Sequence, residues 1–485
     1  MLAADEKMVG VLVPPSVGGA LINTALSLDH RVAVNLNYTL SPDVMNFCIS
    51  ECGITTVVTS RAFMEKRPFE PDDAKLVYLE DLAQQVSFFD KLVGGYQAKF
   101  CSPEKLDRIH DLNSIQPDDL LTIIFTSGST GNPKGVKLSN RNVSSNIGAV
   151  NELFHITEKD VILGVLPFFH SFGYTGTLWL TMSLEASSVY HFNPLDSRTV
   201  GTLSDEHDVS IILATPTFLR SYMRRCTPEQ MHHLDLVIVG AEKLPKDLAE
   251  QFKEKFGVEP TEGYGTTELS PVASMNVPDH RASEGADPGT RLGTVGKVAP
   301  GSEIKVVDPD SRADLGLDTE GLLVYRGPNV MVGYLNNDKA TAEKIRDGWY
   351  DTGDMGVIDE EGFITITGRM SRFSKIGGEM VPHIKIEQEL ERLIEGEDED
   401  PMIQVAVTAV PDARKGERLI VLHRPLGDKT IDGLLQSLSD LGLPNIWIPS
   451  SDSFLEVEEI PLLGTGKMDL KAVQQVATDN FTEGE

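Results

Sequence analysis

The chain has 485 residues, of which 40% are hydrophobic and 24% charged, and its 43 basic and 73 acidic side chains give a formal net charge of -30. This composition is typical of a folded globular protein and excludes general disorder, and the length predicts roughly three folding units of about 150 residues each. So large a negative charge repels nucleic acid and anionic lipid surfaces, and any acidic partner would therefore need a local basic patch.

Short β-rich runs alternate with helical stretches along most of the chain. The runs are "VGVLV", "TVVTS", "LTIIFTS", "SIILATP", "LVIVGAE" and "GLLVYRG", and "PKDLAEQFKEKFG" is a representative helical stretch. Strands that alternate with helices form parallel sheets covered by helices. We therefore expect an α/β fold with a large N-terminal body of this kind.

Two uncharged runs, 9–28 and 161–184, approach the length of a membrane span. The first contains "VPPS" and the second "PFFHSFGYTG", so buried strand-loop-helix units, or the lining of an apolar ligand site, fit both better. The N-terminal "MLAADEKMVG" carries acids where a signal peptide carries Lys or Arg. Four cysteines without CxxC or zinc spacing favour a reduced cytoplasmic compartment, with all four as packed thiols.

The pattern of predicted secondary structure changes after about residue 300. "SEIKVVDPDS" and "GVIDEEGFITITGRMSRFSKIGG" predict hairpins, which we expect to form a small β-barrel-like part. From "PHIKIEQELERLIEG" onward, helix and strand alternate again in a tail of about 115 residues, long enough to fold by itself. We place a boundary near 368–371, followed by a small α+β domain.

Residues 126–135, "TSGSTGNPKG", combine hydroxyls, three glycines and Lys134. Glycines let backbone N–H groups approach an oxyanion closely, and a phosphate chain is the natural ligand of such a nest. The loop does not fit the Walker A pattern. From composition alone, a mobile surface turn remains a competing interpretation.

The extended stretch "TSGSTGNPKGVKLSNRN" resembles the signature of the adenylate-forming superfamily, which includes acyl-CoA synthetases, acyl-acyl carrier protein synthetases, luciferases and peptide-synthetase adenylation domains. Six further motifs follow in the family's order: "LPFFHSFG" (166–173), "VGAEKLP" (239–245), "EGYGTTELSP" (262–271), "GWYDTGDMG" (348–356), "GRMSRFSKIGGEMV" (368–381) and "PLLGTGKMDL" (461–470). Seven ordered motifs form a highly specific pattern.

This resemblance implies an enzyme that lets a carboxylate attack the α-phosphate of ATP, expels pyrophosphate, and opens the acyl-adenylate with a thiol. Such chemistry depends on positioning and charge neutralisation, and ATP and Mg²⁺ are the expected cofactors. The resemblance also implies two domains. These are an AMP-binding (adenylation) domain, 1–369, which looks shortened at its N-terminus, and a mobile C-terminal domain, 370–485, which carries the catalytic lysine.

The resemblance assigns the nucleotide site residue by residue. The expected phosphate contacts are Thr126, Ser127, Gly128, Ser129, Thr130, Gly131 and Lys134. The segments around adenine and the floor of the acyl pocket contribute Gly240, Ala241, Glu242, Tyr264, Gly265 and Thr266. Tyr264 would stack on adenine, although in isolation it would be interpreted as a core residue. Glu268 would hold Mg²⁺ beside phosphate oxygens, and Asp354 with Arg369 would hold the ribose hydroxyls.

Three catalytic residues are implied. Thr267 would face the α-phosphate, and His170 would stand at the junction of the nucleotide and acyl sites. Lys467 would reach the charge that develops between carboxylate and α-phosphate, and its domain would later rotate away. The hinge position two residues after Arg369 is usually Asp or Lys in the family but is Ser371 here, which leaves the pivot uncertain.

Within the superfamily, the chain looks most like the synthetase half of the bifunctional acyl-[acyl carrier protein] synthetase/2-acylglycerophosphoethanolamine acyltransferase. The acyltransferase half is expected to be absent, because the H-x-x-x-x-D matches at His155, His191 and His423 lack its context. A fatty acid is the expected substrate. The segment 161–184 would suit an acyl channel, with a simple core helix as the alternative. Its aromatic residues are Phe168, Phe169, Phe172, Tyr174 and Trp179.

Acyl carrier protein is the expected thiol, with coenzyme A as the alternative. Basic residues that could meet an acidic carrier, or could equally form solvated faces, are Arg220, Arg224, Arg225, Arg372, Lys375, Arg414, Lys415 and Arg418. An acceptor other than a thiol and a non-catalytic nucleotide-binding homologue are further alternatives. We expect a cytoplasmic protein that does not bind nucleic acid. Peripheral association with the inner face of the membrane and a separate acyltransferase partner are left open.

Overall fold

The computed structural model describes residues 6–126, 133–377, 379–394, 403–412, 414–462 and 468–481. Its first sheet has seven strands. Their spatial order is Gly333–Tyr334, Lys134–Ser139, Leu120–Thr126, Val32–Asn35, Met8–Leu12, Thr56–Thr59 and Lys75–Tyr78. The last five are parallel neighbours, whereas the two at the opposite edge pair antiparallel. Strands buried on both faces read as continuous apolar runs, which explains the β-rich segments of the sequence.

A second sheet also has seven strands. Their order is Lys297–Val298, Val272–Met275, Thr261–Gly265, Leu236–Val239, Ile211–Ala214, Val161–Gly164 and Ser187–Tyr190. The five from Thr261–Gly265 onward run parallel. Their carboxyl ends therefore meet at one edge, where open α/β sheets bind ligands.

The third sheet is antiparallel and has five strands. They are Glu303–Val307, Gly321–Arg326, Ile345–Arg346, Trp349–Ile358 and Ile364–Arg369. The C-terminal region follows with the hairpin Phe373–Ile376/Glu379–Pro382 and the three strands Val405–Asp412, Gly416–His423 and Phe454–Glu456.

Helices cover both parallel sheets. Those in the body are Val17–Leu28, Pro42–Glu51, Arg61–Lys66, Leu79–Gln85, Phe88–Phe100, Pro103–Ile109, Asn140–Leu153, the contiguous pieces Ser171–Gly173, Tyr174–Trp179 and Leu180–Ser183, then Ser197–Glu206, Pro216–Arg225, Lys246–Phe256 and Asp338–Lys344. His383–Ile394, Ile431–Asp440 and Leu470–Phe481 belong to the C-terminal region. Within the described ranges, no helix has the length and apolar character needed to cross a membrane.

The largest apolar cluster lies between the two parallel sheets. It contains Ile124 of the first sheet, Ile211 of the second, Ile147 of the helix Asn140–Leu153, and Tyr174. That helix starts at a capping box, in which Asn142 N–H donates to Ser139 Oγ and Ser139 N–H to Asn142 Oδ1. The cap fixes the turn from the strand Lys134–Ser139 into the helix, at the end of the hairpin opposite the predicted phosphate loop.

The predicted α/β fold with a smaller C-terminal domain is confirmed, as are the hairpins after residue 300. One run is corrected, because "GLLVYRG" forms a strand of the antiparallel sheet and not of a parallel one. The run 9–28 forms a buried strand followed by a helix, as predicted. Three cysteines are buried and Cys101 is half-buried. The boundary between 369 and 370 stays a prediction.

Candidate functional site

A cavity of about 1420 Å³ opens at the carboxyl ends of the parallel strands of the second sheet. The end of Leu120–Thr126 in the first sheet and a wall of the antiparallel sheet complete it. Twelve predicted residues line it: Thr126, Lys134, His170, Gly240, Ala241, Glu242, Tyr264, Gly265, Thr266, Thr267, Glu268 and Arg369. The fold thus brings together side chains that lie up to 243 positions apart, from Thr126 to Arg369.

One wall is built around the carboxylate of Asp354. Asp354 and Arg369 are cross-strand partners in the pairing of Trp349–Ile358 with Ile364–Arg369. Arg369 Nε lies 3.1 Å from Asp354 Oδ1, and the Tyr264 hydroxyl donates to Asp354 Oδ2. Asp354 is 4% exposed at its side chain, whereas Arg369 is 65% exposed. A fixed acceptor is therefore held behind a cation that faces the cavity.

Burial sets the protonation of this wall. Desolvation raises the pKa of Asp354, and the neighbouring Arg369 guanidinium opposes that rise. Burial, and then the charge of Asp354, raise the pKa of Tyr264, so its hydroxyl keeps the proton that it donates. The Asp354 carboxylate in turn raises the pKa of Arg369.

A second wall carries Glu268, in the short helical turn Thr267–Leu269. Tyr334 donates its hydroxyl to Glu268 Oε1 at 2.8 Å. The Lys134 ammonium lies 5.2 Å from the centre of the Tyr334 ring. Tyr334 reaches this place because Gly333–Tyr334 pairs with Lys134–Ser139 at the edge of the first sheet. A carboxylate and a lysine therefore share one aromatic neighbour.

The phosphate loop and the catalytic lysine of the sequence analysis fall largely outside the described residues. Those predictions are Ser127, Gly128, Ser129, Thr130, Gly131 and Lys467. The two flanks, Thr126 and Lys134, are described and line the cavity. Thr126 Oγ1 lies 3.5 Å from the Lys134 carbonyl oxygen across the mouth of the hairpin.

His170 and Thr267 lie on the side of the cavity that continues into aromatic residues. Thr267 Oγ1 accepts a hydrogen bond from Ser171 Oγ at 3.3 Å. His170 Nδ1 accepts from Phe172 N–H, which caps the helix starting at Ser171, and the imidazole is exposed. Phe169 and Phe172 also line the cavity.

The other aromatic residues of 161–184 do not line the cavity. Phe168 and Tyr174 are 1% and 0% exposed, and Trp179 packs on the same core cluster. Of the two sequence interpretations, the core helix holds for Tyr174 and Trp179, and a cavity lining holds for Phe169 and Phe172. Phe168 is a core residue in the turn before the helix. The periodicity of one strongly apolar segment could not separate its two faces.

The segment 240–242 turns sharply at the end of Leu236–Val239. Ala241 has φ 67°, and Thr217 Oγ1 donates to Glu242 Oε2 at 2.9 Å. A Cβ on Gly240 would come within 3.3 Å of the Phe172 ring. At Gly265 a Cβ would lie 2.0 Å from the Pro271 carbonyl oxygen, so that position admits only glycine.

Several cavity residues were not predicted from the sequence. Besides Tyr334, they include Arg312 and Lys344, which meet at Asp351. Arg312 Nη2 lies 2.5 Å from Asp351 Oδ2, and Lys344 Nζ lies 3.7 Å from Asp351 Oδ1. Asp351 stands inside the quoted motif "GWYDTGDMG", which was the available signal. Nothing local marked Arg312, because its approach to the cavity is a tertiary contact.

The proposed carrier-facing basic residues separate into two groups. Arg220, Arg224 and Arg225, here called the helix arginines, are exposed on Pro216–Arg225, and no ion pair engages them within the described ranges. In contrast, Arg372 is buried and paired with Glu387, which removes it from the set of surface candidates.

The remaining basic candidates differ in whether they form ion pairs with other described residues. Lys375 Nζ lies 2.5 Å from Asp310 Oδ2, and Arg418 Nη1 lies 3.7 Å from Asp452 Oδ2. Lys375, Arg414 and Lys415 are exposed, whereas Arg418 is half-buried.

The residues that would meet ATP and Mg²⁺ fit those groups in chemistry. Glu268 would supply one hard oxygen ligand to a cation that takes most of its other ligands from phosphates and water. Among the described residues, no three His, Cys, Asp or Glu side chains converge into a metal cage. Lys134 would supply a cation beside Tyr334, the residue that binds Glu268, and the Asp354–Arg369 pair would supply an acceptor and a donor suited to hydroxyl groups.

Comparison with known proteins gives consistent matches. Residues 3–335 match the model of the AMP-binding enzyme family. A 3-[(3aS,4S,7aS)-7a-methyl-1,5-dioxo-octahydro-1H-inden-4-yl]propanoyl:CoA ligase of Rhodococcus jostii is 30% identical over 73% of this chain and 65% of its own length. A long-chain-fatty-acid–CoA ligase of Bacillus subtilis is 26% identical over 81% of this chain and 68% of its own length. An indoleacetate–CoA ligase of Aromatoleum aromaticum is 30% identical over 76% of this chain and 70% of its own length. The chain thus spans 65% to 70% of these curated relatives.

Solved structures agree in fold. ATP-bound MatB from Rhodopseudomonas palustris superposes with a TM-score of 0.77 at 24% identity, covering 98% of this chain and 90% of that one. O-succinylbenzoate coenzyme A synthetase (MenE) from Bacillus subtilis, in complex with ATP and magnesium ion, gives 0.76 at 23% identity, covering 97% and 90%. At this identity the likeness supports the fold alone.

Proposed function

Because this chain belongs to the AMP-binding enzyme family, we propose that it is an ATP-dependent acid–thiol ligase that activates a fatty acid. The observation that carries the proposal is the pairing of two walls in one cavity. The Tyr264–Asp354–Arg369 wall suits a ribose, and the Lys134–Tyr334–Glu268 wall suits phosphates with a cation. The names of the relatives, which are CoA ligases, support the same reaction class.

In the first step, a carboxylate oxygen of the acid attacks the α-phosphorus of ATP, and the bond to the β-phosphate oxygen breaks to release pyrophosphate. Lys134 and the neighbouring loop would neutralise the leaving group, and Glu268 would hold Mg²⁺, which supplies charge neutralisation at the phosphates when bound. Thr267 would orient the α-phosphate, and Lys467 would stabilise the charge that develops between the two reacting groups.

In the second step, a thiol sulfur attacks the acyl carbon of the adenylate and AMP leaves. Phe169, Phe172 and Gly240 border the space that we assign to the acyl chain. An apolar wall excludes water from the mixed anhydride and so protects it from hydrolysis. His170, exposed at the junction, lies where acid and nucleotide would meet.

Coenzyme A is the thiol favoured by the relatives, and acyl carrier protein is a second candidate. The observation for the carrier is the set of helix arginines, which are exposed and unpaired within the described ranges of a chain of charge -30. Acidic partners are attracted by such a local patch even when the net charge is unfavourable.

The test offers ATP, Mg²⁺ and fatty acids of increasing length with each thiol in turn. We expect AMP and pyrophosphate to be released in equal amounts together with an acyl thioester. Formation of ADP, or no release with any acid, would contradict the ligase proposal.

The thiol question needs a separate variant. Reversing the helix arginines to Glu should lower kcat/KM with the carrier and leave the value with coenzyme A unchanged. A control with the same change in net charge reverses three exposed lysines elsewhere: Lys339, Lys429 and Lys471. Equal losses in both triple variants would remove the carrier proposal and leave coenzyme A.

A further inference from the structure

The helix Phe88–Phe100, here called the exposed helix, carries its apolar residues on the outside. The exposed fractions are Phe88 70%, Phe89 75%, Leu92 52%, Val93 54%, Tyr96 56% and Phe100 66%. At 100° per residue, these six positions fall on one continuous side of the helix. Scattered exposed apolar residues are ordinary, but a contiguous patch of this kind marks an interaction surface.

The exposed helix obtains little support from the other described residues. None of its residues is buried. Gly94 and Gly95 lie in its middle, and a Cβ at either would meet nothing within 4 Å. Isolated helices of this length are marginal in water, and interior glycines weaken them further. A surface that covers the apolar side would supply the missing stabilisation.

No stretch outside the described ranges is suited to cover the patch. The longest is 395–402, "EGEDEDPM", which is short and acidic. The occupant proposed below is therefore a surface other than these stretches.

The charges on the exposed helix favour a lipid surface over a second copy. Lys91 and Lys99 lie on it, while its one acid, Asp90, accepts from Ser87 N–H at 2.8 Å in a capping box. Lys99 Nζ lies 5.7 Å from the centre of the Phe100 ring, so its stem runs along the apolar side. At 100° per residue, Lys91 flanks the apolar side and Lys99 lies within it. Lysines whose stems run along apolar side chains are typical of helices lying at a membrane interface. A second copy would bring the same lysines and the charge of -30 against themselves.

We propose that the exposed helix docks in the headgroup region of a phospholipid bilayer, with Phe88, Phe89, Leu92, Tyr96 and Phe100 inserted and the lysines at the phosphate level. Its 13 residues span about 20 Å, less than the roughly 30 Å of a hydrocarbon core, so it lies in the plane of the interface. This attachment goes beyond the proposed ligase activity and does not depend on it, although it would hold a fatty-acid enzyme where such acids dissolve.

Flotation with vesicles of zwitterionic phosphatidylcholine tests the proposal without nucleotide or acid, because the net charge of -30 would oppose binding to an anionic surface. The wild-type chain should float with the vesicles, and Phe89→Glu/Leu92→Glu should reduce the bound fraction roughly tenfold or more. A matched control is Leu317→Glu/Leu441→Glu, whose side chains are 52% and 55% exposed elsewhere. This control should float like wild type.

A second readout does not depend on loss of binding. In Leu92→Trp the fluorescence of the new indole should shift to shorter wavelength when vesicles are added, and in Leu317→Trp it should not. Three results would overturn the proposal. In the first, the wild-type chain does not float. In the second, both double variants float equally. In the third, the wild-type chain binds no vesicles but forms a dimer, and Phe89→Glu/Leu92→Glu dissociates that dimer. The last would identify a second copy as the occupant.

Discussion

The contact between Tyr334 and Glu268 provides the sharpest test of the cavity. In Tyr334→Phe only the hydroxyl that donates 2.8 Å to Glu268 Oε1 is lost. Tyr334 is 2% exposed, and both burial and the charge of Glu268 raise its pKa, so the hydroxyl is protonated and donating at neutral pH. The variant therefore frees one carboxylate and changes little else.

The magnitude follows from the surroundings. A hydrogen bond to a charged group contributes about 1.5–3 kcal/mol, but Glu268 is half-buried and lines the cavity, so water partly replaces the hydroxyl. We expect the free energy of unfolding to fall by about 1–2 kcal/mol. We also expect the Mg²⁺ concentration for half-maximal adenylation to rise about 5- to 30-fold, because the carboxylate loses its fixed orientation.

The assay is ATP–pyrophosphate exchange over a Mg²⁺ titration, with urea unfolding in parallel. Tyr325→Phe is the matched control, because its fully buried hydroxyl donates to Asn329 Oδ1 at 3.1 Å and does not line the cavity. The control should lose stability but keep the wild-type Mg²⁺ dependence. If both variants show the same half-saturating Mg²⁺ concentration, Tyr334 is structural and the reasoning fails.

Three further outcomes are expected. Lys467→Ala should abolish pyrophosphate exchange while calorimetry still detects ATP binding. The control Lys471→Ala, four residues further along the chain, should behave like wild type. Normal exchange in Lys467→Ala would contradict the catalytic role assigned to Lys467. Asp354→Asn, which removes the charge beside Arg369, should weaken ATP binding roughly tenfold to hundredfold in calorimetry, and an unchanged Kd would separate this pair from the nucleotide. Burial, and then the nearby Arg372 guanidinium, lower the pKa of His383 to about 3, below the unfolded value of 6.5. The contribution of neutral His383 to stability is therefore complete above pH 6.5 and is lost as the pH falls toward 3. Between pH 7 and pH 5 this amounts to about 2 kcal/mol, which His383→Gln should remove from the pH dependence of urea unfolding; an identical dependence in the variant would contradict the assignment.

In the antiparallel sheet, the local sequence pattern was enough to predict which two side chains meet. Asp354 and Arg369 lie fifteen positions apart in sequence, in segments that predict a hairpin. The observed register makes them direct partners. A hairpin has few registers compatible with its apolar side, which is why a local pattern sufficed here.

Elsewhere the local pattern was insufficient. Phe168, Phe169 and Phe172 belong to one apolar segment, yet the first lies in the core and the other two line the cavity. Arg372 looked like a surface cation and is buried against Glu387. Which side of an element faces a cavity depends on its packing partners, and these are distant in the chain.

From the sequence alone came the parallel α/β body, the smaller C-terminal region and the residue types suited to a phosphate-rich ligand. Periodicity and glycine spacing carry that information because they act within a few residues. Only the tertiary structure decided that Tyr334, from the far edge of the first sheet, orients Glu268, and that Arg312 and Lys344 face the cavity. It also decided that the described residues leave the apolar side of the exposed helix uncovered. These relations arise from strand order and from the packing of distant segments, and neither leaves a mark in local sequence.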